Sequence, residues 1–179
     1  MKPVVGWFRQ NPLKGILIIG LAFRIAAAIN SPGYLMHDDH FLVIETAASW
    51  AVGEDYNAWM PWTQLEKGIE NPIPHQANLA YPGLVSGLFR VMLILGIVAP
   101  TTQMFVLRLV HGLFNLLMVA LGYRLAGALG GRKSAIWAGL ALAGFAWFPH
   151  LGARQLVEVV CIPPLMWSSW VVLKKPESA

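Results

Sequence analysis

Residues 104–148 read MFVLRLVHGLFNLLMVALGYRLAGALGGRKSAIWAGLALAGFAWF, two apolar runs joined by the basic turn Gly130-Gly131-Arg132-Lys133. Apolar runs of this length approach the thickness of a bilayer, and a basic turn between two of them says which side the joint occupies, because lysine and arginine in short loops stay cytoplasmic. Working outward, apolar segments lie at 13–29, 82–99, 103–129, 134–149 and 156–173. If all five cross, the turn falls opposite Lys2, Arg9 and Lys14, against the positive-inside rule. If 82–99 lies in the interface or re-enters, four spans remain and the basic clusters share one face: Lys2, Arg9 and Lys14; Arg124, Arg132 and Lys133; Lys174 and Lys175. The expected fold is therefore an all-α polytopic transmembrane helix bundle of about four spans (13–29, 103–129, 134–149, 156–173). These form a single transmembrane domain over 1–179, with interfacial or re-entrant helices in a long first outer loop, 30–102. The N-terminus is expected on the cytoplasmic face and the loop on the outer face, periplasmic, extracytoplasmic or luminal.

Composition agrees with a bilayer as the solvent. The 179 residues are 56% hydrophobic and 12% charged, with a mean hydropathy of +0.56, where a soluble domain carries roughly a quarter charged residues. The net charge of +4 comes from basic residues scattered between apolar runs, without a patch or arm, so a nucleic-acid partner is excluded. The single cysteine, Cys161, can form no internal disulfide and no cysteine metal cluster. The N-terminal apolar run carries Arg24 and is followed by Asn30-Ser31-Pro32-Gly33 rather than a small-x-small cleavage site. It reads as a retained span, not a secretory signal.

The outer loop is acidic. It holds Asp38, Asp39, Glu45, Glu54, Asp55, Glu66 and Glu70 against Lys67 and Arg90. Within it, Phe41, Ile44, Ala48 and Val52 share a helical face, which predicts a helix over 41–52 that Gly53 stops. Trp50, Trp59 and Trp62 fit headgroup depth, where indole rings prefer to sit, or a sugar-stacking surface. Pro72, Pro74 and Pro82 interrupt the chain before the next apolar segment, and Tyr81-Pro82-Gly83 reads as a helix start.

The string richest in chemistry is His37-Asp38-Asp39-His40-Phe41. Two carboxylates side by side raise one another's pKa, so the cluster reads as a base, a cation site, or a solvated polar loop. The run Asp38-Asp39-His40-Phe41-Leu42-Val43-Ile44-Glu45, after an N-terminal span, resembles the first outer loop of the GT-C glycosyltransferases. It is similar to the mannosyltransferases of dolichol-linked oligosaccharide and GPI-anchor assembly, whose pattern is Asp-Glu, one residue, an aromatic, three residues, then Glu. Asp38 matches the aspartate, Phe41 the aromatic and Glu45 the later glutamate; Asp39 stands where the family usually has glutamate. Tyr81-Pro82-Gly83-Leu84, Arg108, the Gly-Gly-Arg turn and Arg154-x3-Glu158 resemble bacterial members.

The resemblance implies transfer of a sugar from a polyprenyl-phosphate-linked donor to an acceptor hydroxyl. Such chemistry needs a carboxylate to take the acceptor proton and cations to hold the leaving phosphate. Asp38 is then the base and Asp39 its orienting neighbour, the two becoming metal ligands if a divalent cation is the cofactor. Arg108 and Arg154 are the expected phosphate ligands, with His75, Glu158, Glu45 and His40 as further substrate- or carrier-binding candidates. The plainer readings are that Arg154 and Glu158 form an intrahelical ion pair and that Arg24 snorkels to an interface. Pro163-Pro164 is expected to kink the last span. GT-C enzymes have about twice as many spans or more, which implies the N-terminal part of a longer enzyme or a partner chain supplying the missing helices. Two alternatives from other classes are a non-catalytic membrane scaffold or assembly subunit and a small transporter component.

Overall fold

The computed structural model describes residues 2–33, 40–73 and 79–174. In chain order the helices are α1 Lys2–Gln10, α2 Pro12–Asn30, a π-helical turn His40–Glu45 running into α3 Thr46–Ala51, α4 Pro61–Glu66, α5 Ala80–Ile94, α6 Pro100–Gly144, α7 Trp147–Gly152 and α8 Val157–Lys174. Among the described residues there is no strand. The fold is an all-α helix bundle with three helices long and apolar enough to cross a membrane: α2, α6 and α8. The chain divides into two compact units, Met1–Gly33 with Phe105–Ala179, and Tyr34–Met104.

The first unit is built on a break inside α6. Gly131 has φ 73 and ψ −170, a backbone conformation open almost only to glycine. Residues 100–130 and 132–144 fold back on each other there. A Cβ on Gly127 would meet Ala135 at 3.3 Å, one on Gly139 would meet Tyr123 at 3.2 Å, and Gly122 faces Leu142. The basic turn thus closes a helical hairpin, and Arg132 donates to the backbone carbonyl of Arg9 at 2.6 Å.

Helix α2 packs against both arms. Pro12, at the start of α2, suits the first turn because the N–H it lacks would have no helical partner there. Ile16, Val119 and Ala143 form the buried core, with Leu17, Leu116, Tyr123, Leu140 and Leu142 around them. In a bilayer apolar burial between helices gains little over lipid, so close approach over small residues supplies the attraction. Gly20 lies against Leu116 and Ala143, and Gly112 against the Arg24 stem. Ile18, Phe23 and Ile29 stay exposed, as lipid-facing residues of a span do.

Arg24 does not snorkel. It is 1% exposed. Its Nε and Nη2 donate to Asn115 Oδ1 at 3.2 and 2.7 Å, Nη1 to the Gly20 carbonyl at 3.2 Å, and Nη2 to the Leu142 carbonyl at 3.4 Å. Dipoles from α2 and both arms solvate the cation inside the bundle, which removes the reason to reach for headgroups.

Helix α8 is continuous through Pro163 and Pro164. Its outward residues include Leu165, Trp167, Val172 and Leu173. Ser168 and Ser169 donate back to the carbonyls of Pro164 and Leu165 at 3.0 Å.

The second unit packs α3 and the π-turn against α5. The sequence reading put Phe41, Ile44, Ala48 and Val52 on the inner face; the buried set is Val43, Ile44, Thr46 and Ala47. The cause is the π-turn, whose wider winding rotates the residues after it relative to an α-helix. Gly53, with φ 86, ends α3 as expected. Trp59 is buried and packs edge-on to the half-buried Trp50 at 6.3 Å, so Trp59 belongs to the interior of the unit. Only Trp62 of the three is well exposed. Helix α5 is about 22 Å long at 1.5 Å per residue, short of a hydrocarbon core of about 30 Å.

Removing the acceptor for Arg24 is expected to be costly. Asn115→Leu should destabilise the chain by about 3 kcal/mol or more, because a charged group is left buried without a partner; adding Arg24→Met should recover most of it. Unfolding in mixed micelles followed by circular dichroism measures both, and equal stability of Asn115→Leu and the parent would show the contact to be dispensable. At the turn, Gly131→Val should cost about 1–3 kcal/mol in the same assay.

Candidate functional site

The end of α2, the first turns of the hairpin and the α7–α8 connection meet at one end of the first unit. Helix α2 stops at Asn30-Ser31-Pro32, leaving carbonyls without helical partners. Arg108 Nη1 donates to the Ser31 carbonyl at 2.5 Å, and Arg154 Nη1 donates to the Gly33 carbonyl. Ser31 Oγ lies 3.1 Å from His150 Nδ1. Cations at a helix C-terminus meet its negative end, so both arginines cap α2.

Capping does not satisfy them. Arg108 is 8% exposed and Arg154 6%, and the buried Nε of each has no hydrogen-bond partner among the described residues. No described carboxylate forms a salt bridge with either. Burial first, and then the charge of Arg108, holds the Arg154 guanidinium below its ordinary value. Burial first, and then the charge of Arg154, lowers the pKa of His150 below 6.5, which leaves its imidazole neutral at pH 7. Two close guanidiniums without a counter-charge among the described residues form a site suited to an anion with several oxygens, phosphate above all.

Glu158 does not pair with Arg154. Arg154 lies in the turn before α8 rather than on it, its side chain reaches toward Gly33, and Glu158 is exposed in the first turn of the helix. The intrahelical ion pair is therefore absent, because the helix begins after Arg154.

In the second unit, Glu45 receives the Tyr56 hydroxyl at 2.9 Å and lies 3.4 Å from His40 Nε2. The structure thus brings together two of the expected residues, His40 and Glu45, and adds Tyr56, which the sequence reading did not single out. Burial and the hydrogen bond and charge of Glu45 raise the pKa of Tyr56. Asp38, Asp39 and His75 lie outside the described residues. Among the described residues no three His, Cys, Asp or Glu side chains converge as a metal site. Ser31 and His150 also went unnoticed as site residues; the break at Ser31-Pro32 after an apolar run was the available signal.

Asp55 organises the loop beside Glu45. Its carboxylate accepts the Trp50 indole N–H at 3.1 Å and the backbone N–H groups of Trp59 and Met60 at 3.2 and 2.8 Å. Burial opposes its ionisation, but bonds from Met60, Trp50, Trp59 and Thr63 outweigh it and hold the carboxyl below 3.8. A carboxyl whose folded pKa is depressed contributes stability that is complete above the unfolded value and lost as pH falls through the folded one. The near-UV signal of the Trp50–Trp59 pair should therefore persist on acidification past 3.8 and collapse below it. Asp55→Asn should weaken that signal at neutral pH and remove its acid transition; an unchanged titration would mean that Asp55 does not hold the indoles.

No protein-family model and no solved structure matches the chain. GPI mannosyltransferase 3 of Yarrowia lipolytica (strain CLIB 122 / E 150) is 25% identical over 145 residues, which cover 78% of this chain and 26% of that protein. The chain thus spans about a quarter of the length of this curated relative. By composition and helix length the chain is an integral, multi-pass membrane protein, and it is similar, at a distance, to a mannosyltransferase.

Proposed function

We propose that the chain carries the catalytic base of a membrane hexosyltransferase that moves a sugar, mannose-like, from a polyprenyl-phosphate carrier to an acceptor hydroxyl. The observation that carries this reading is the buried Arg108–Arg154 pair, capping α2 while the Nε of each has no hydrogen-bond partner among the described residues. The distant likeness to a GPI mannosyltransferase supports the same reaction class.

In the proposed reaction the acceptor oxygen attacks the anomeric carbon of the donor. The bond from that carbon to the phosphate oxygen breaks, and the phosphate leaves with the bonding electrons. Asp38 takes the acceptor proton, with Asp39 as its orienting neighbour. Arg108 and Arg154 stabilise the charge that builds on the leaving phosphate, which is the term most worth preorganising. His40 and Glu45 are further substrate contacts, with Tyr56 fixing the Glu45 carboxylate; Glu158 and His75 are further carrier contacts. The proposed topology has four spans, with the N-terminus and the 130–133 turn cytoplasmic and 30–102 outside.

Asp38→Asn should lower transfer of radiolabelled sugar from a polyprenyl-phosphate donor by at least about 100-fold, the scale of general-base catalysis. Undiminished transfer would remove Asp38 as the base. Adding polyprenyl phosphate should raise the pKa of His150, read by NMR, because a bound anion offsets the charge of Arg154; Arg154→Gln should abolish that rise. Cysteine placed at Gln64 should react with a membrane-impermeant reagent in intact cells and cysteine at Ser134 should not; labelling at Ser134 would sink the four-span topology.

A further inference from the structure

The second unit contains a cleft of about 730 Å³ between the α3–α4 connection and α5, within the roughly 300–1,000 Å³ range of small-ligand sites. Its construction is specific. Trp50, Tyr56 and Trp62 line it, and the polar tips of the first two are already engaged, by Asp55 and Glu45. Those bonds hold the rings in place, so stacking on them costs little ordering.

Polar groups of both signs alternate with the rings. Lys67 and Arg90 line the cleft while each donates one hydrogen bond to a backbone carbonyl, of Tyr56 and Trp50, at 3.0 and 2.9 Å. Their remaining N–H groups are available to a ligand. Glu54 and Glu66 add exposed carboxylates on the same walls. Part of the α5 wall is bare: Gly83 and Gly87, one turn apart, line the cleft, and a Cβ at either would meet nothing within 4 Å.

A ring with one apolar face and a rim of hydroxyl groups matches this arrangement. Its face lies on an aromatic ring and its hydroxyls, which both donate and accept, find carboxylates and ammonium groups at the edge. A phospholipid headgroup would call for a predominantly basic lining, which mixed charges do not provide. We infer that the cleft of the second unit is a carbohydrate subsite, which, on the reading proposed above, holds sugar rings of the acceptor.

The bare wall supplies the test. Gly87→Leu should fill the cleft without a clash and with no loss of helix, since leucine favours a helix over glycine by roughly 0.5–1 kcal/mol. The full chain in phosphatidylcholine nanodiscs is titrated with methyl α-mannoside and an α-linked mannobiose, and saturation-transfer NMR reads binding. The parent should transfer saturation to the ring C–H protons. Gly87→Leu and Trp62→Ala should each weaken binding by at least about tenfold, or 1.4 kcal/mol, with unchanged far-UV circular dichroism.

No saturation transfer in the parent, or full binding by Gly87→Leu, overturns the subsite. So does quenching of Trp62 by lipids brominated near the headgroup together with indifference to either sugar, which would make the cleft a membrane anchor. Sugar transfer is a separate readout. A chain that binds the sugars but transfers none keeps the cleft and loses the transferase; a Gly87→Leu chain that transfers at the parent's rate loses the cleft and keeps the transferase.

Discussion

A cation taken out of water into a helix bundle must be surrounded by dipoles or the bundle does not form. Arg24 is that cation, and the groups around it come from three helical segments of the first unit: Gly20 on its own helix, Asn115 on the first arm of the hairpin, Leu142 on the second. The arrangement works only because Gly20 and Gly112 let the backbones come close. Charge burial and glycine packing are therefore one constraint. Its reach extends to the proposed anion site. Arg24 and Asn115 meet at one level; about two helical turns further along α2, and as far back along the hairpin arm, Ser31 meets Arg108. Fixing the lower contact fixes the upper one.

The second unit solves a different problem, which is to give shape to a stretch with short helices and many prolines. Its interior combines apolar packing of Val85, Phe89 and Met92 with polar anchors that replace regular backbone pairing. Asp55 gathers the indole N–H of Trp50 on α3 and two backbone N–H groups from the stretch after it. Gln64 binds the Ala58 carbonyl and both backbone groups of Ile73. Asn57 donates to the Thr46 hydroxyl, a further anchor. Asp55, Gln64, Asn57 and Thr46, which composition alone counts with a solvated acidic loop, are thus part of the loop's internal scaffold.

Helical class, membrane residence, the hairpin and the stop at Gly53 were legible because each rests on local chemistry: apolar length, a basic Gly-Gly turn, a glycine after a helical run. Arg24 was misread because its partner is 91 positions away, and no local pattern distinguishes a snorkelling arginine from one that meets an asparagine. Trp59 was misread for the same reason, since an indole prefers an interface and an interior alike until its neighbours are known. The Arg154–Glu158 spacing implied a helical pair, but the helix starts three residues later than that spacing requires. Arg108 and Arg154 were named from the sequence as phosphate ligands, and the structure adds that they share the end of α2. The assignment of Asp38 and Asp39 rests on their motif and the resemblance it carries.

The turn at Gly131 also has a stereochemical meaning. Its φ and ψ are close to the mirror image of an extended L-residue, so the conformation that closes the hairpin is one in which a D-amino acid would be at ease. Handedness enters the first unit through the chiral residues of the two arms, each favouring a right-handed helix. The joint between them depends on the single kind of residue that has no handedness. The reversal of chain direction at the basic turn is thus a change of chirality as well as of course, confined to one position.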